Sequence, residues 1–351
     1  MRCKKELISR LSELLHDERG IERGLYSAGP YWRGKGRKIV NQLKRKGLAG
    51  FRGYDSGVGT SYCDNVIADV RNEADRGWKK LLYAFSYISP LNKFFNASAR
   101  LIINHHSNLL SYQTWTFKDS KRIKELLDHY TLDNTTAFGC VEKIHLFGKE
   151  YSTHYLESLN KIDIIAQSIN FNNVTSALEI GGGFGCDIHI LLQNYKDIKK
   201  VIYLDMVPNL LVGTEYLKSF YGRAVFDYRS LKKRAKIQFS ENGELEIYCI
   251  APWQIEKLEC KVDYFHNTNS FVEMAKEAVK NYAKHIKRLL GDRGSIALVS
   301  YDGFDINTTF DPKVLNEYFD NTLLVEEHQS LFRPNRKDIY LIKGQPVCMR
   351  T

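Results

Sequence analysis

The pattern of apolar and polar residues changes near the middle of the chain. Over 152–169, apolar residues recur at intervals of three and four, which predicts an amphipathic helix with one buried face. After this helix, segments that predict strands alternate with segments that predict helices. The strands are expected at 177–180, 200–205, 245–250, 262–266 and 295–301, followed by a final pair at 322–332 and 338–343. This alternation predicts an α/β fold with a mostly parallel sheet and right-handed crossovers.

Three details refine the predicted sheet. The final two strands are expected to pair antiparallel, and a helix is expected over 273–290. The Asn242-Gly243 dipeptide is a turn signal, so 237–239 is expected to form a hairpin with the strand at 245–250.

The first 150 residues show no such alternation and are predicted to be mainly helical. Leu7, Leu11 and Leu14 lie on one face of the first helix. Further helices are predicted at 64–83, 101–115 and 120–130, and a glycine-rich loop at 47–59.

A glycine-rich turn at 181–185 joins the first strand of the sheet to a helix over 186–195. Its glycines are Gly181, Gly182, Gly183 and Gly185, with Phe184 among them. Because glycine lacks a side chain, such a turn lets the backbone approach a ligand closely and adopt positive φ. Asp205 follows about 20 residues later, where a nucleoside-binding fold places a carboxylate for ribose hydroxyls.

The acid before the glycines, Glu179, selects the cofactor. A dinucleotide places its pyrophosphate at the helix N-terminus and gains nothing from a nearby anion. S-adenosylmethionine (SAM) carries a sulfonium and an ammonium, so a carboxylate beside its methionine end is favourable. The Gly-Lys-Ser/Thr ending of a P-loop is missing from the turn. We therefore predict a SAM site, with a glycine turn of another nucleotide-binding fold as the alternative.

Three residues near the ends of other strands complete the predicted cofactor site. Trp253 follows the third strand and is expected to flank adenine, with a role in the core as the alternative. Met206 and Asn267 follow the second and fourth strands. Ligands in such sheets bind at the carboxyl ends of the strands, near the switch in strand order.

Composition narrows the class of protein. The 351 residues are 43% hydrophobic, yet contain neither a membrane-spanning run nor an apolar block typical of a signal peptide. The seven cysteines are scattered and include no Cys-x-x-Cys, which predicts a reduced, cytoplasmic protein. The net charge of +10 is concentrated in the first 50 residues. This excess indicates a solvated surface, a nucleic-acid site or a site for a phosphate-bearing or lipid-linked acceptor.

Four blocks of sequence resemble a family of bacterial sugar O-methyltransferases, class I SAM-dependent enzymes often encoded among surface-polysaccharide genes. The blocks are 147–149 with 154–159, 179–185, 203–210 and 267–274, and the resemblance spans about 145–345. It implies a Rossmann-like, seven-stranded class I methyltransferase sheet. It also implies a SAM-binding domain at 151–351, and we expect the helical region 1–150 to contribute to acceptor binding as a cap.

The acceptor chemistry requires a base, because a sugar hydroxyl is a poor nucleophile. The first candidate is His266, which ends the fourth strand; Glu273 lies in the last family block, and His154, on the helix before the sheet, is the third. A structural hydrogen-bonding role is the alternative for each. His105-His106 has no partner at helical spacing, and no carboxylate cluster demands a metal, so none is predicted.

The predicted function is therefore SAM-dependent O-methylation of a sugar, a nucleotide sugar or a lipid-linked glycan precursor in surface-polysaccharide biosynthesis. One alternative is an RNA or other small-molecule methyltransferase, in which the basic first 50 residues would contact phosphates. Another is a non-catalytic SAM-binding subunit of a glycan-synthesis complex.

Overall fold

The computed structural model describes residues 2–21, 24–26, 29–52, 120–140, 143–291, 294–301, 311–331 and 333–344. The helices of these residues are α1 (Arg2–Glu18), α2 (Pro30–Lys46), α3 (Ser120–His129), α4 (Thr153–Ala166), α5 (Cys186–Asn194), α6 (Val207–Tyr221), α7 (Tyr228–Leu231) and α8 (Lys276–Leu290). The strands are β1 (Ile144–Leu146), β2 (Lys149–Tyr151), β3 (Ser176–Ile180), β4 (Lys200–Leu204), β5 (Val225–Phe226), β6 (Glu246–Ile250), β7 (Tyr264–Thr268), β8 (Ser295–Tyr301), β9 (Leu324–Ser330) and β10 (Arg333–Lys343).

Eight strands form one sheet in the order β5-β6-β4-β3-β7-β8-β10-β9, and β1 and β2 form a separate hairpin. The pairs from β5 to β8 are parallel, whereas β10 is antiparallel to both β8 and β9. From β3 the chain first builds the strands on one side of β3, namely β4, β5 and β6. It then crosses to β7, which pairs with β3 on the opposite side. This order confirms the predicted Rossmann-like α/β fold and the antiparallel final pair, and it places the switch in strand order between β3 and β7.

The edge of the sheet beyond β6 differs from the prediction in two ways. The sheet has eight strands rather than seven, because the two-residue strand β5 pairs with β6. The predicted hairpin is wrong: Ile237 forms a parallel bridge with Leu258. Side chains of β6 contact this part of the chain instead: the hydroxyl of Tyr248 donates to the carbonyl of Gln238 at 3.0 Å, and Glu246 accepts from the backbone N–H of Ser240 at 2.9 Å.

Helices cover both faces of the sheet, so its central strands are inaccessible to water. Every residue of β3, β6 and β8 is buried. This burial explains why their sequences are nearly continuous apolar runs rather than alternating ones. Two ionisable residues, Glu179 and Glu246, interrupt these apolar runs although they are buried. The groups around each carboxylate therefore matter.

Helix α1 packs against the sheet domain through one apolar face and one charged face. The apolar face buries Leu7, Leu11 and Leu14. The charged face joins α1 to α6, α7 and the segments flanking α7 through the pairs Arg10–Glu215, Arg10–Asp227, Glu13–Arg229, Glu13–Lys232 and Asp17–Lys232. The described N-terminal helices share a continuous hydrophobic cluster with the sheet. The boundary at residue 150 stays a prediction.

Several predicted elements have clear counterparts. Helix α1, helix α3 and the amphipathic helix α4 form where expected, and Ser152 caps α4 by accepting from the N–H of Tyr155 at 3.4 Å. The helices predicted at 64–83 and 101–115, and the pair His105-His106, lie outside the described residues. Each helix of the described ranges is too short or too polar to cross a bilayer.

A buried ammonium group ties α4 to the antiparallel end of the sheet. The Nζ atom of Lys161 lies 3.6 Å from a carboxylate oxygen of Glu157 and 3.8 Å from one of Asp338. All three residues are less than a tenth exposed. Charges removed from water in this way depend on each other, because a buried charge that loses its partner is costly.

We expect Lys161→Met to lower the free energy of unfolding by about 3–5 kcal/mol, because it leaves two buried carboxylates without this cation. Chemical denaturation monitored by circular dichroism measures the loss. Lys124→Met is the matched control, since Lys124 makes a helical pair with Asp128 in full contact with water. That control should unfold as the wild type does. Equal stability of all three proteins would contradict the assigned role of Lys161.

Candidate cofactor and acceptor site

The glycine-rich loop between β3 and α5 forms one wall of the crevice at the switch in strand order. Gly181, Gly183 and Gly185 have φ values of 74°, 63° and 88°, which residues with side chains rarely adopt. Gly182 is needed for space, since a methyl carbon there would lie 2.1 Å from a carboxylate oxygen of Glu179. The glycines therefore let the loop fold back directly over the carboxylate of Glu179.

Asp205 joins this loop to the end of β4. Its Oδ2 accepts from the N–H of Gly183 at 2.8 Å, and its Oδ1 accepts from the N–H of Met206 at 2.7 Å. Burial raises the pKa of Asp205 to about 7, although these hydrogen bonds act in the opposite direction. The carboxylate lies where ribose hydroxyls bind in nucleoside-binding folds, so its position fits the predicted role.

Glu179 is a buried acid whose carboxylate makes no hydrogen bond with any described group. It is 2% exposed, and neither carboxylate oxygen has a hydrogen-bond partner among the described residues. Burial raises its pKa well above the usual value, and the charges of Asp187 and Asp205 raise it further. Glu246 shows the contrast, because Lys200 lies 3.2 Å from its carboxylate. A buried carboxyl group in these surroundings is costly to ionise, so it stays protonated unless a bound cation stabilises its charge.

His266 and Asp187 form a hydrogen-bonded pair next to Glu179. The Nε2 of His266 donates to Oδ2 of Asp187 at 2.9 Å, and its Nδ1 lies 2.7 Å from the hydroxyl of Tyr264. Burial would raise the pKa of Asp187, but the hydrogen bond and charge of His266 outweigh it and hold that pKa low. His266 is only 1% exposed. Its described contacts fit a residue that positions Asp187.

Asn267 connects the ends of β3 and β7. Its side-chain amide donates to the carbonyl of Ile180 at 2.7 Å and to the hydroxyl of Ser270 at 2.5 Å. A methyl carbon on Gly181 would lie 2.2 Å from the same Ser270 oxygen. Asn267 therefore holds the loop after β7 against the glycine loop. It shapes the crevice through these two loops.

The side chain of Phe184 is buried in an aromatic cluster beneath the loop. Its ring centroid lies 4.8 Å from that of Tyr216 and 5.2 Å from that of His154. The guanidinium of Arg52 lies 4.9 Å from the same centroid. The backbone of Phe184 is thus the part available to line the crevice. His154, a predicted base, is only partly buried and lies beside this ring.

Trp253 follows β6 in the short helical turn Pro252–Lys257, at the same edge of the sheet as Asp205. Its ring is partly buried and lies 6.1 Å from that of Tyr228. This position is compatible with either of its predicted roles, a wall for adenine or part of the core.

Helix α2 lies across the carboxyl edge of the sheet and touches loops on both sides of the switch. The indole N–H of Trp32 donates to a carboxylate oxygen of Glu273 at 2.8 Å, and the hydroxyl of Tyr301 lies 3.4 Å from the other oxygen. At its middle, a methyl carbon on Gly36 would lie 3.7 Å from the terminal carbon of Met206. The structure thus separates the predicted bases: Glu273 faces α2, and His266 is enclosed beside Asp187.

Five basic residues of α2 are exposed to solvent, whereas Trp32, Ile39 and Leu43 of the same helix are buried. They are Arg37, Lys38, Lys44, Arg45 and Lys46. These exposed residues are available to an anionic partner, whereas the buried side of the helix lines the crevice.

Two site residues were missed by sequence reasoning. Asp187 lies in the first turn of α5, and its position two residues after the last glycine was a signal that could have identified it. Trp32 lies in a helix that was not predicted, because Gly34 and Gly36 weaken the helical pattern, although Pro30 at its first position was a signal for a helix start.

Comparisons with solved structures find methyltransferases at low similarity. A SAM-dependent methyltransferase from Aquifex aeolicus is 12% identical, over 53% of this chain and 88% of its own, with a TM-score of 0.34. The mitomycin 7-O-methyltransferase is 11% identical, over 90% of this chain and 68% of its own, with a TM-score of 0.38. The magnesium protoporphyrin IX methyltransferase from Synechocystis is 11% identical, over 53% of this chain and 79% of its own, with a TM-score of 0.35.

No protein-family model matches the sequence, and no curated protein matches it. At these identities and TM-scores, similarity to the solved structures assigns no activity to this chain.

We expect Glu179→Gln to stabilise the ligand-free protein increasingly as the pH rises. An unfolded glutamate ionises near pH 4, whereas burial keeps folded Glu179 protonated to higher pH. Its contribution to stability is therefore complete below the unfolded pKa and is lost as the pH rises through the folded pKa. The variant should match the wild type at pH 4 and exceed it at pH 8, by about 1.4 kcal/mol for each unit of elevation crossed. Urea denaturation across this pH range measures the difference.

Glu246→Gln is the control, because hydrogen bonds from Ser240 and the charge of Lys200 outweigh burial and lower the pKa of Glu246. Its contribution has the opposite sign: it is present above the unfolded pKa and is lost as the pH falls through the folded pKa. This variant should lose stability at pH 8. A Glu179→Gln protein that is also less stable at pH 8 would show that Glu179 has a stabilising partner.

Proposed function

We propose that this protein transfers a methyl group from SAM to a hydroxyl group of a sugar or glycan precursor. The observation that carries the proposal is the unpartnered, buried carboxylate of Glu179 beneath the glycine loop. A cofactor with a cationic methionine end satisfies that carboxylate, whereas the pyrophosphate of a dinucleotide would add negative charge beside three acids.

The residues around the crevice fit each part of SAM. The backbone of the glycine loop would hold the methionine part, with Glu179 facing its ammonium. Asp205 would accept hydrogen bonds from the ribose hydroxyls, and Trp253 would flank the adenine. When bound, SAM supplies a methyl group already activated by its sulfonium, so the protein chiefly aligns the acceptor and removes its proton.

The acceptor side is proposed to lie under α2. Trp32 and Tyr301 bring aromatic rings to the carboxylate of Glu273. Carboxylates accept hydrogen bonds from hydroxyl groups, and aromatic rings present apolar faces with a polar edge. The choice of a sugar comes from the family resemblance, and this combination of groups is compatible with it.

Among the predicted bases, the described contacts favour Glu273. Its carboxylate is partly exposed at the carboxyl edge of the sheet, beside the α2 surface. His266 is enclosed, with Tyr264 and Asp187 at its two ring nitrogens, and we assign it a positioning role. His154 remains a second candidate for the base.

The exposed basic residues of α2 are compatible with an anionic acceptor whose phosphates extend out of the crevice to the outer face of the helix. A nucleotide sugar or a lipid-linked glycan carries phosphates, and so does RNA, which keeps RNA methylation as a second candidate. Cofactor binding does not distinguish them, so the products must be identified directly.

We expect the protein to bind SAM and S-adenosylhomocysteine, and to bind NAD much more weakly. Isothermal titration calorimetry provides the measurement. Asp205→Asn should lose about 1.5–3 kcal/mol of binding free energy, because it removes charge-assisted hydrogen bonds to the ribose. Glu179→Gln should also bind SAM more weakly. If millimolar SAM and S-adenosylhomocysteine fail to bind while NAD binds, the proposed function is wrong.

We expect Glu273→Gln to lower kcat by about 10²–10⁴ with SAM affinity preserved, as loss of a general base does. Turnover is measured by mass spectrometry of products from labelled SAM with a panel of nucleotide sugars, lipid-linked oligosaccharides and RNA. Glu277→Gln is the matched control, since Glu277 is exposed in the first turn of α8 and should leave kcat unchanged.

His266→Gln should instead raise the Michaelis constant for SAM more than it lowers kcat. Normal kcat in Glu273→Gln would remove Glu273 from the role of base and make His154 the next residue to test. Methylated RNA as the major product would replace the sugar acceptor with the second candidate.

A further inference from the structure

Glu179, Asp187 and His266 bring three potential metal ligands together inside the protein. One ligand atom from each lies within 4.8 Å of the others, and all three residues are buried. Glu179 and His266 are neighbours in the parallel register of β3 and β7, so their side chains lie on the same face of the sheet. Asp187 is added from the first turn of α5.

A second observation also points to a ligand at this cluster. Both oxygens of Glu179 are buried, and no group of the described residues donates a hydrogen bond to them. Asp205 adds a further acid from β4, and the charges acting most strongly on Glu179 are those of Asp187 and Asp205. A cation would stabilise the ionised form of a carboxylate in such surroundings. The nearby imidazole nitrogen can also coordinate a metal ion, whereas it offers no such bond to an organic ammonium.

The ring of His266 is held in the way that metal-binding histidines are held. The hydroxyl of Tyr264 lies 2.7 Å from Nδ1, which fixes the ring and turns Nε2 towards Asp187. Metal-ligating histidines usually hydrogen-bond through the second ring nitrogen to a neighbouring group. Coordination at Nε2 would move the ring hydrogen to Nδ1, where it can be donated to the Tyr264 oxygen.

We propose that Glu179, Asp187 and His266 bind a divalent cation of the Mn²⁺ class when the cofactor is absent. Two carboxylates and one imidazole suit such an ion, with water completing its coordination. Because the proposed function assigns Glu179 to the cofactor ammonium, the ion and the cofactor would exclude each other. Only this competition rests on the proposed function, and the metal site itself does not.

The test uses the whole 351-residue chain after treatment with EDTA and removal of the chelator. Titration with Mn²⁺ is followed by the electron paramagnetic resonance signal of the free ion, and binding of one ion per chain is expected. Glu179→Gln and His266→Gln should each weaken Mn²⁺ binding at least tenfold. Tyr264→Phe should weaken it by about 10- to 100-fold, since it removes the support of the histidine ligand.

Glu246→Gln is the control, because it alters a buried carboxylate outside the cluster and should retain wild-type Mn²⁺ affinity. Circular dichroism confirms that each variant is folded. Failure of the wild type to bind one Mn²⁺ at millimolar concentration would overturn the proposal. Undiminished binding in folded Glu179→Gln and His266→Gln would do the same.

Competition is measured by titrating S-adenosylhomocysteine with EDTA and then with saturating Mn²⁺. We expect its apparent affinity to fall when Mn²⁺ is present. Simultaneous binding of both would overturn the exclusion. S-adenosylhomocysteine binding in EDTA without any Mn²⁺ binding would leave the proposed function intact and reject only the metal site. Mn²⁺ binding without S-adenosylhomocysteine binding would reject the proposed function instead.

Discussion

The carboxylate of Glu179 constrains the whole carboxyl edge of the sheet. Its position in a fully buried strand leaves it without water, and no described group donates a hydrogen bond to it. Gly182 must lack a side chain because the carboxylate occupies the space that a side chain would need. The negative charges of Asp187 and Asp205 lie close enough to raise the free-energy cost of ionising Glu179 further. Burial of this carboxylate therefore lowers the stability of the fold, and a bound cation would offset that loss. Such locally destabilised groups are common at functional sites.

The loops after three strands are held around this carboxylate by polar contacts. Asp205 joins the loop after β4 to the glycine loop, and Asn267 joins the loop after β7 to the end of β3. Helix α2 then crosses the same edge, with Trp32 contacting Glu273. The crevice therefore has a polar floor fixed by short hydrogen bonds and a roof made by an amphipathic helix with a basic outer face.

Much of this arrangement could be predicted from the sequence, because it depends on local patterns. The alternation of strands and helices predicted the sheet. The glycines, together with Glu179 and Asp205, predicted a ligand site at the carboxyl ends of its strands. The edge strand β5 was not predictable, since two residues carry no periodicity. Helix α2 was obscured by its glycines, which have low helix propensity. The contacts of His266 depend on Tyr264 and Asp187, and spacing alone does not reveal which side chain faces which.

The ion pairs of α1 also affect the order of events during synthesis. Arg10 pairs with Glu215, and Glu13 and Asp17 pair with Lys232, more than 200 residues later in the chain. On the ribosome, α1 emerges before α6 and α7, so its docking surface is completed only after α7 has been made. During that interval Leu7, Leu11 and Leu14 have no partner surface from α6. Contacts this distant in sequence form late and slow folding, so the apolar face of α1 is exposed to aggregation until α6 and α7 have been made.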